Sequence, residues 1–262
     1  MGMFDSADWV AKKLDSSQVL VLDPRSAVQY LQGHLKNAVN VPLSKAFDAQ
    51  GKLLSVGELA RLLGPVGLND RKIPVVYDSQ DGRRGAVLAW ILLYLGRADV
   101  HLMDIFLEGW IAEGREIFYR PVKPLTQDFS ASVNSAVRAM LTDVAGASAL
   151  KLVDFRSQDE YTGSVDTEGK PGHIPGAVNI VWQDLLGENN RFLASREKLE
   201  RLLGAAGITP RDRVVAYCGT GLRAAVGYLA LKELGFDVRL YDGSYREWAR
   251  TDFPVEASQV KE

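Results

Sequence analysis

The sequence predicts an α/β protein built from two tandem copies of one domain, each a mostly parallel sheet with helices on both faces. Three observations carry that prediction. An internal duplication runs through the 262 residues. Short apolar runs of strand type alternate with segments of helical periodicity, and parallel neighbours need such helical crossovers to cover the sheet. A hydrophobic content of 47% suffices for two buried cores.

The duplication sets the domain limits. Asp23, Arg25 and Tyr30 of LDPRSAVQY return as Asp154, Arg156 and Tyr161 of VDFRSQDEY, each displaced by 131 positions. GHLKNAVNVP, from Gly33, matches GHIPGAVNIV, from Gly172, at a displacement of 139, so the second copy carries eight extra residues before its histidine. That insertion, within TGSVDTEGKPG, is polar and glycine-rich and is expected to form a surface loop. ELARLLGPVGL parallels KLERLLGAAGI at 140, and PVVYD parallels VVAYC at the same displacement, which sets Asp78 opposite Cys218. MDIFLEGW answers YDGSYREW at 138. These matches divide the chain into a first copy over 1–120, a linker over 121–130 and a second copy over 131–262.

Within each copy the elements follow one order. VLVLD and LKLVDF read as strands, each followed by a turn that contains the Gly-His pair. SVGELARLLG and SREKLERLLG carry apolar residues at helical spacing, and Ser55 with Glu58 forms a capping-box pattern at the start of the first. PVVY and RVVAY read as buried strands. AVLAWILLYLG and RAAVGYLALKELG read as long helices stopped by a glycine, and VHLMD and VRLYD as closing strands. Trp110 and Trp248 follow as expected core anchors. The Asp23–Arg25 and Asp154–Arg156 pairs recur whether or not a thiol is present, so they read as internal contacts. His34 and His173 recur in the same way and read as turn-bridging residues.

Composition excludes several classes. With 33 acidic against 31 basic residues, the chain gives no electrostatic ground for nucleic acid or an anionic membrane as partner. No segment approaches the roughly 18 unbroken apolar residues of a membrane span, and no secretory signal pattern opens the chain. The lone Cys218 rules out an intramolecular disulfide and any CxxC site, and a reducing, cytoplasmic compartment is expected. No cofactor is implied: the sequence shows neither a metal-ligand cluster nor a dinucleotide loop.

Cys218 stands in VVAYCGTGLRAA, directly after a predicted strand. In parallel sheets, ligands bind beyond the carboxyl ends of the strands. Gly219 and Gly221 let the loop turn its amides inward, and the helix beginning near Arg223 adds its positive dipole end. Such a loop stabilises a sulfur anion. A cysteine phosphatase would need five residues between Cys and Arg to clamp a phosphate. Here Arg223 comes one residue early and position 224 is alanine. The six-residue loop Cys218-Gly219-Thr220-Gly221-Leu222-Arg223 suits a smaller object, such as one sulfur atom. A Cys–His hydrolase would need an imidazole base, yet two of the three histidines occur equally in the copy without a thiol. Asp242 and Ser244 follow the last strand beside the loop and read either as orienting groups or as a plain turn.

The D-x-R-x-x-x-x-Y, GHIPGAVNI, CGTGLR and YDGSYREW motifs, in this order, resemble the tandem-domain rhodaneses, the family of the thiosulfate and 3-mercaptopyruvate sulfurtransferases. The resemblance covers nearly the whole chain. It implies two rhodanese-like domains, of which the first lacks the nucleophile. It also implies a Cys218 persulfide, cradled by residues 219 to 223, that passes sulfur from thiosulfate or 3-mercaptopyruvate to cyanide, a small thiol or a protein cysteine. Cys218-Gly219-Thr220-Gly221 is closer to the mercaptopyruvate type, while Leu222-Arg223 resembles single-domain rhodaneses. Where eukaryotic members carry a substrate-binding Arg before the aromatic of the D-x-R motif, this chain has Glu160. Arg223, with Arg83 and Arg84 from the first copy, is expected to supply replacement charge. The alternative is a persulfide carrier or regulatory module that relays sulfur between proteins, which steady-state turnover with small donors would distinguish.

Overall fold

The computed structural model describes residues 2–146 and 149–257. It divides into two compact units, Met1–Asn134 with Gly187–Phe192, and Ser135–Leu186 with Leu193–Glu262.

In the first unit β1 (Phe4–Asp5), α1 (Ala7–Lys13), β2 (Val19–Asp23), α2 (Ala27–Leu31), β3 (Val39–Asn40), α3 (Val56–Leu63), β4 (Ile73–Val76), α4 (Arg83–Tyr94), β5 (His101–Met103) and α5 (Leu107–Ala112) follow in turn. The sheet is parallel throughout, in the order β1-β5-β4-β2-β3. The Ser55 capping box opens α3, the Ser55 amide donating to Glu58 Oε2 at 2.9 Å. β1 extends the sheet at β5, a pairing echoed in the second unit by one parallel bridge between Arg138 and Leu240, and α1, capped by Ser6, has its counterpart there in the helix Leu141–Ala145. The short segment 187–192 also belongs to this unit, because the Phe192 ring packs 5.1 Å from Phe4 and 5.2 Å from Phe106.

The second unit contains α6 (Leu141–Ala145), β6 (Lys151–Asp154), α7 (Gln158–Thr162), β7 (Val178–Asn179), α8 (Arg196–Ala205), β8 (Arg213–Tyr217), α9 (Leu222–Glu233), β9 (Asp237–Leu240) and α10 (Ser244–Ala249). Its sheet, β7-β6-β8-β9, is again all parallel. After Arg213, the residues of β8 are buried, since this strand lies inside the sheet under α9. A Cβ on Gly227 would stand 2.3 Å from the Phe155 ring, so only glycine lets α9 approach this closely. The helix ends two residues before Gly235, whose φ of +87° lets the chain reverse into β9.

The Asp-Arg pairs anchor equivalent corners. Arg156 Nη2 donates to Asp154 Oδ2 at 2.7 Å and to Gly172 O at 2.7 Å, while Arg25 makes the same contacts to Asp23 and Gly33 O. Beside each corner sits its buried histidine: His173 stacks on Tyr161 at 3.7 Å and donates from Nδ1 to Tyr161 O, and His34 stacks on Tyr30 at 4.0 Å. Trp110 and Trp248 are buried in the two cores.

Candidate active site

The chain leaves β8 at Tyr217 and enters α9 at Leu222, so Cys218 stands at the carboxyl end of an interior strand and at the mouth of a 12-residue helix. Its side chain has no exposed surface. Gly221 takes φ +88°, and a Cβ there would press to 3.0 Å on the carbonyl oxygen of Asp242. Conformation and space both demand glycine. The resulting turn brings the Gly221 amide to donate to Cys218 Sγ at 3.1 Å. The amides of Gly219, Thr220, Leu222 and Arg223 find no hydrogen-bond acceptor among the described residues.

The loop's outer side is fixed from β9 and α10. Ser244, a non-glycine residue at φ +55°, accepts from the Cys218 amide at 3.2 Å and donates to Tyr241 O at 2.8 Å. The amides of Tyr245 and Arg246 donate to Cys218 O and Gly219 O at 2.8 and 3.0 Å. Asp242 is held by Arg138 through two 2.7 Å contacts. Of the two roles open to the Asp242–Ser244 turn, orienting the loop is the one these bonds describe.

Arg223 does not stand free. Its Nη1 and Nη2 donate to Glu160 Oε2 and Oε1 at 2.5 and 2.8 Å, a fork-to-fork pair. Glu160 is placed for this by a second capping box that the sequence reading passed over: it is the third residue of α7, and the Ser157 amide donates to its Oε2 at 3.1 Å. The S-x-x-E spacing at 157–160 was the available signal. Burial would raise the Glu160 carboxyl, but the Arg223 guanidinium and the Ser157 donors outweigh it and hold the group down at about 2. Burial likewise opposes the charge on Arg223, yet Glu160 and then Cys218 keep the guanidinium above its ordinary value.

The first unit shows what the loop does without sulfur. Asp78 occupies the equivalent place after β4, fully buried, and accepts from the amides of Ser79 and Gly85, both at 2.8 Å. Its own carboxylate fills the position to which the donors point. This loop is one residue longer than its counterpart: the helices begin after Gly82 and Gly221, and measured from those glycines the residue matching Arg223 is Arg84, not Arg83. Arg84 Nη1 donates to Gln29 Oε1 at 3.0 Å, as Arg223 does to Glu160, while Arg83 Nε donates to Asp81 Oδ2 at 2.9 Å within the first unit. The equal displacement of Asp78 and Cys218 concealed this shift in the arginines.

Burial lifts the Asp78 carboxyl to about 6 despite Arg84 and the two amides. Folded protein therefore holds this proton at pH values where the unfolded chain has lost it. The contribution is present at low pH and lost as pH rises through about 6, amounting to at most about 3 kcal/mol. Denaturant titrations from pH 4 to 7 are expected to show this fall in wild type and a flatter profile in Asp78→Asn. Equal slopes in both would show that Asp78 titrates normally.

Comparison with known proteins gives a consistent picture. The model of the rhodanese-like domain matches twice, at residues 6–113 and 136–251. A thiosulfate sulfurtransferase of Azotobacter vinelandii is 32% identical over 263 residues, 97% of this chain and 96% of that protein. A 3-mercaptopyruvate sulfurtransferase of Escherichia coli K12 is 30% identical over 276 residues, 97% of each. The crystal structure of SseA from Escherichia coli, a 3-mercaptopyruvate sulfotransferase, superposes with a TM-score of 0.84 at 27% identity and covers 93% of this chain and 99% of that one.

Proposed function

Because this chain belongs to the rhodanese family and is a sulfurtransferase, we propose that it draws sulfur through Cys218 from donors of low charge, 3-mercaptopyruvate before thiosulfate. Similarity does not choose between these, since relatives named for each donor are 32% and 30% identical. The observation that carries the choice is the Glu160–Arg223 pair. A guanidinium already forked onto a carboxylate adds little attraction for a dianion.

In the first half-reaction the Cys218 thiolate attacks the donor's outer sulfur and forms an S–S bond. The bond between that sulfur and the donor breaks, and its electron pair leaves with the remainder: as sulfite from thiosulfate, or from 3-mercaptopyruvate as an enolate that takes up the thiol's proton and departs as pyruvate. The terminal sulfur then carries the negative charge, and the unpartnered amides of Gly219, Thr220, Leu222 and Arg223 are the donors available to it. An acceptor, cyanide or a small thiol, attacks that sulfur and restores the thiolate. A sulfur with no exposed surface favours small acceptors over a protein cysteine. A reducing compartment, the cytoplasm, suits a chain whose one thiol must stay unoxidised.

The test is mass spectrometry of the intact protein after brief exposure to each donor. An adduct of about 32 Da on Cys218 is expected, forming faster with 3-mercaptopyruvate than with thiosulfate at equal concentration. Equal or faster labelling by thiosulfate overturns the donor preference, and no adduct from either overturns persulfide chemistry at Cys218.

A further inference from the structure

We propose that Glu168, carried on the insertion found only in the second copy, is a specificity-determining residue that keeps Arg246 from serving dianionic donors. The proposal rests on the sulfur-transfer reading above and adds a residue to it.

The insertion lies at the surface, as its composition predicts, and is ordered by its own contacts. Asp166 Oδ1 accepts from the amides of Glu168, Gly169 and Lys170 at 3.0, 2.7 and 3.2 Å, winding the segment into a tight turn. Lys170 Nζ donates to the carbonyls of Thr251 and Phe253, and Tyr245 Oη donates to Lys170 O at 2.7 Å. Glu168 is thereby fixed with only 12% of its side chain exposed. Its Oε2 and Oε1 accept from Arg246 Nε and Nη2 at 3.1 and 3.4 Å.

This pair lies against the cysteine loop. The Arg246 amide donates to Gly219 O at 3.0 Å. A Cβ on Gly219 would stand 3.9 Å from Glu168 Oε1 and 3.0 Å from Arg223 Nη2. Around Gly219 the charges therefore alternate: Glu160, Arg223, Glu168, Arg246. Each cation next to the sulfur-carrying loop has its own carboxylate. In the first copy the position corresponding to Arg246 is Glu108, whose Oε2 accepts from the loop amide of Gln80 at 3.0 Å. Both copies use this site to touch the loop, but only the second has a cation there, and only the second has an insertion that neutralises it. Arg246 is 40% exposed and would be free to turn toward an anion once released. A bare guanidinium beside a buried sulfur would favour a doubly charged donor.

The test separates charge selection from turnover. Cys218→Ser protein is titrated calorimetrically with thiosulfate and with pyruvate, alone and combined with Glu168→Gln, Arg246→Gln or both. Glu168→Gln is expected to tighten thiosulfate about fivefold, the scale of one partly exposed charge contact, and pyruvate by less than about twofold. Adding Arg246→Gln should abolish the gain. With Cys218 restored, the thiosulfate-to-mercaptopyruvate ratio of kcat/KM should rise by a similar factor in Glu168→Gln. Unchanged thiosulfate affinity in Glu168→Gln, or a gain that survives Arg246→Gln, overturns the proposal. Thermal melts of each variant confirm that folded protein is compared. Should wild-type protein acquire no persulfide, sulfur transfer fails as a reading while the titrations still decide the role of Glu168.

Discussion

Replacing Cys218 by serine is expected to lower kcat/KM for every sulfur donor by at least about 10³-fold, with the adduct of about 32 Da lost in parallel. The reasoning is chemical before it is structural. A persulfide requires a sulfur nucleophile, and the chain holds no second cysteine to take over. A serine hydroxyl is barely ionised at neutral pH and could attack only with a base at hydrogen-bond distance. The bonds to the Cys218 side chain come instead from a donor, the Gly221 amide, and the facing Arg223 is a cation. The fold should survive the change. Serine is slightly smaller, and its oxygen can accept from the same amide, so stability should move by less than about 1 kcal/mol. Retention of a tenth or more of wild-type turnover in a folded Cys218→Ser protein would mean that sulfur moves by another route.

Much of this site was legible in the sequence, because it rests on local patterns repeated twice. The strand-loop-helix order around Cys218, the Asp-Arg corners and the histidine turns each fall within a few residues of one another, and repetition separated scaffold from chemistry. What escaped depends on contacts distant in sequence. Glu160 and Arg223 are 63 residues apart, and Glu168 and Arg246 are 78 apart, so no periodicity links them. Reading Arg223 as replacement charge was sound about its place beside the cysteine and blind to the carboxylate that occupies it. The insertion is the solvent-facing loop that its polar, glycine-rich composition predicts, but that composition says nothing of which side chain it directs inward. Those same residues provide the Asp166 turn that aims Glu168. Which of Arg83 and Arg84 answers Arg223 could not be read from the displacement of Asp78 and Cys218, since a single extra loop residue leaves the strands in register while rotating the helix start.

The Glu160–Arg223 pair is expected to be the largest single contributor to holding the cysteine loop, and Glu160→Ala should destabilise the protein by about 2 kcal/mol at pH 7. The carboxylate does two jobs: it closes the capping box of α7, and it ties that helix, which follows β6, to the first turn of α9. Its downward shift fixes the sign of the pH effect. Unfolded protein protonates this group near the ordinary value of 4.5, and folded protein only near 2. The stabilisation is therefore fully present above about pH 4.5 and fades as pH falls through 2, with an upper bound of about 3 kcal/mol from the shift itself. The expected net loss is smaller because Arg223, 22% exposed, regains some water when its partner is gone. Chemical denaturation of wild type, Glu160→Ala and Glu160→Gln at pH 7, 4 and 2.5 measures it. The gap between wild type and Glu160→Ala should narrow toward pH 2.5, while Glu160→Gln, which keeps a cap acceptor and lacks the charge, should fall between them at pH 7. A gap below about 0.5 kcal/mol that stays flat with pH would show that this ion pair does not secure the loop, and the argument from its neutralised arginine to low-charge donors would fall with it.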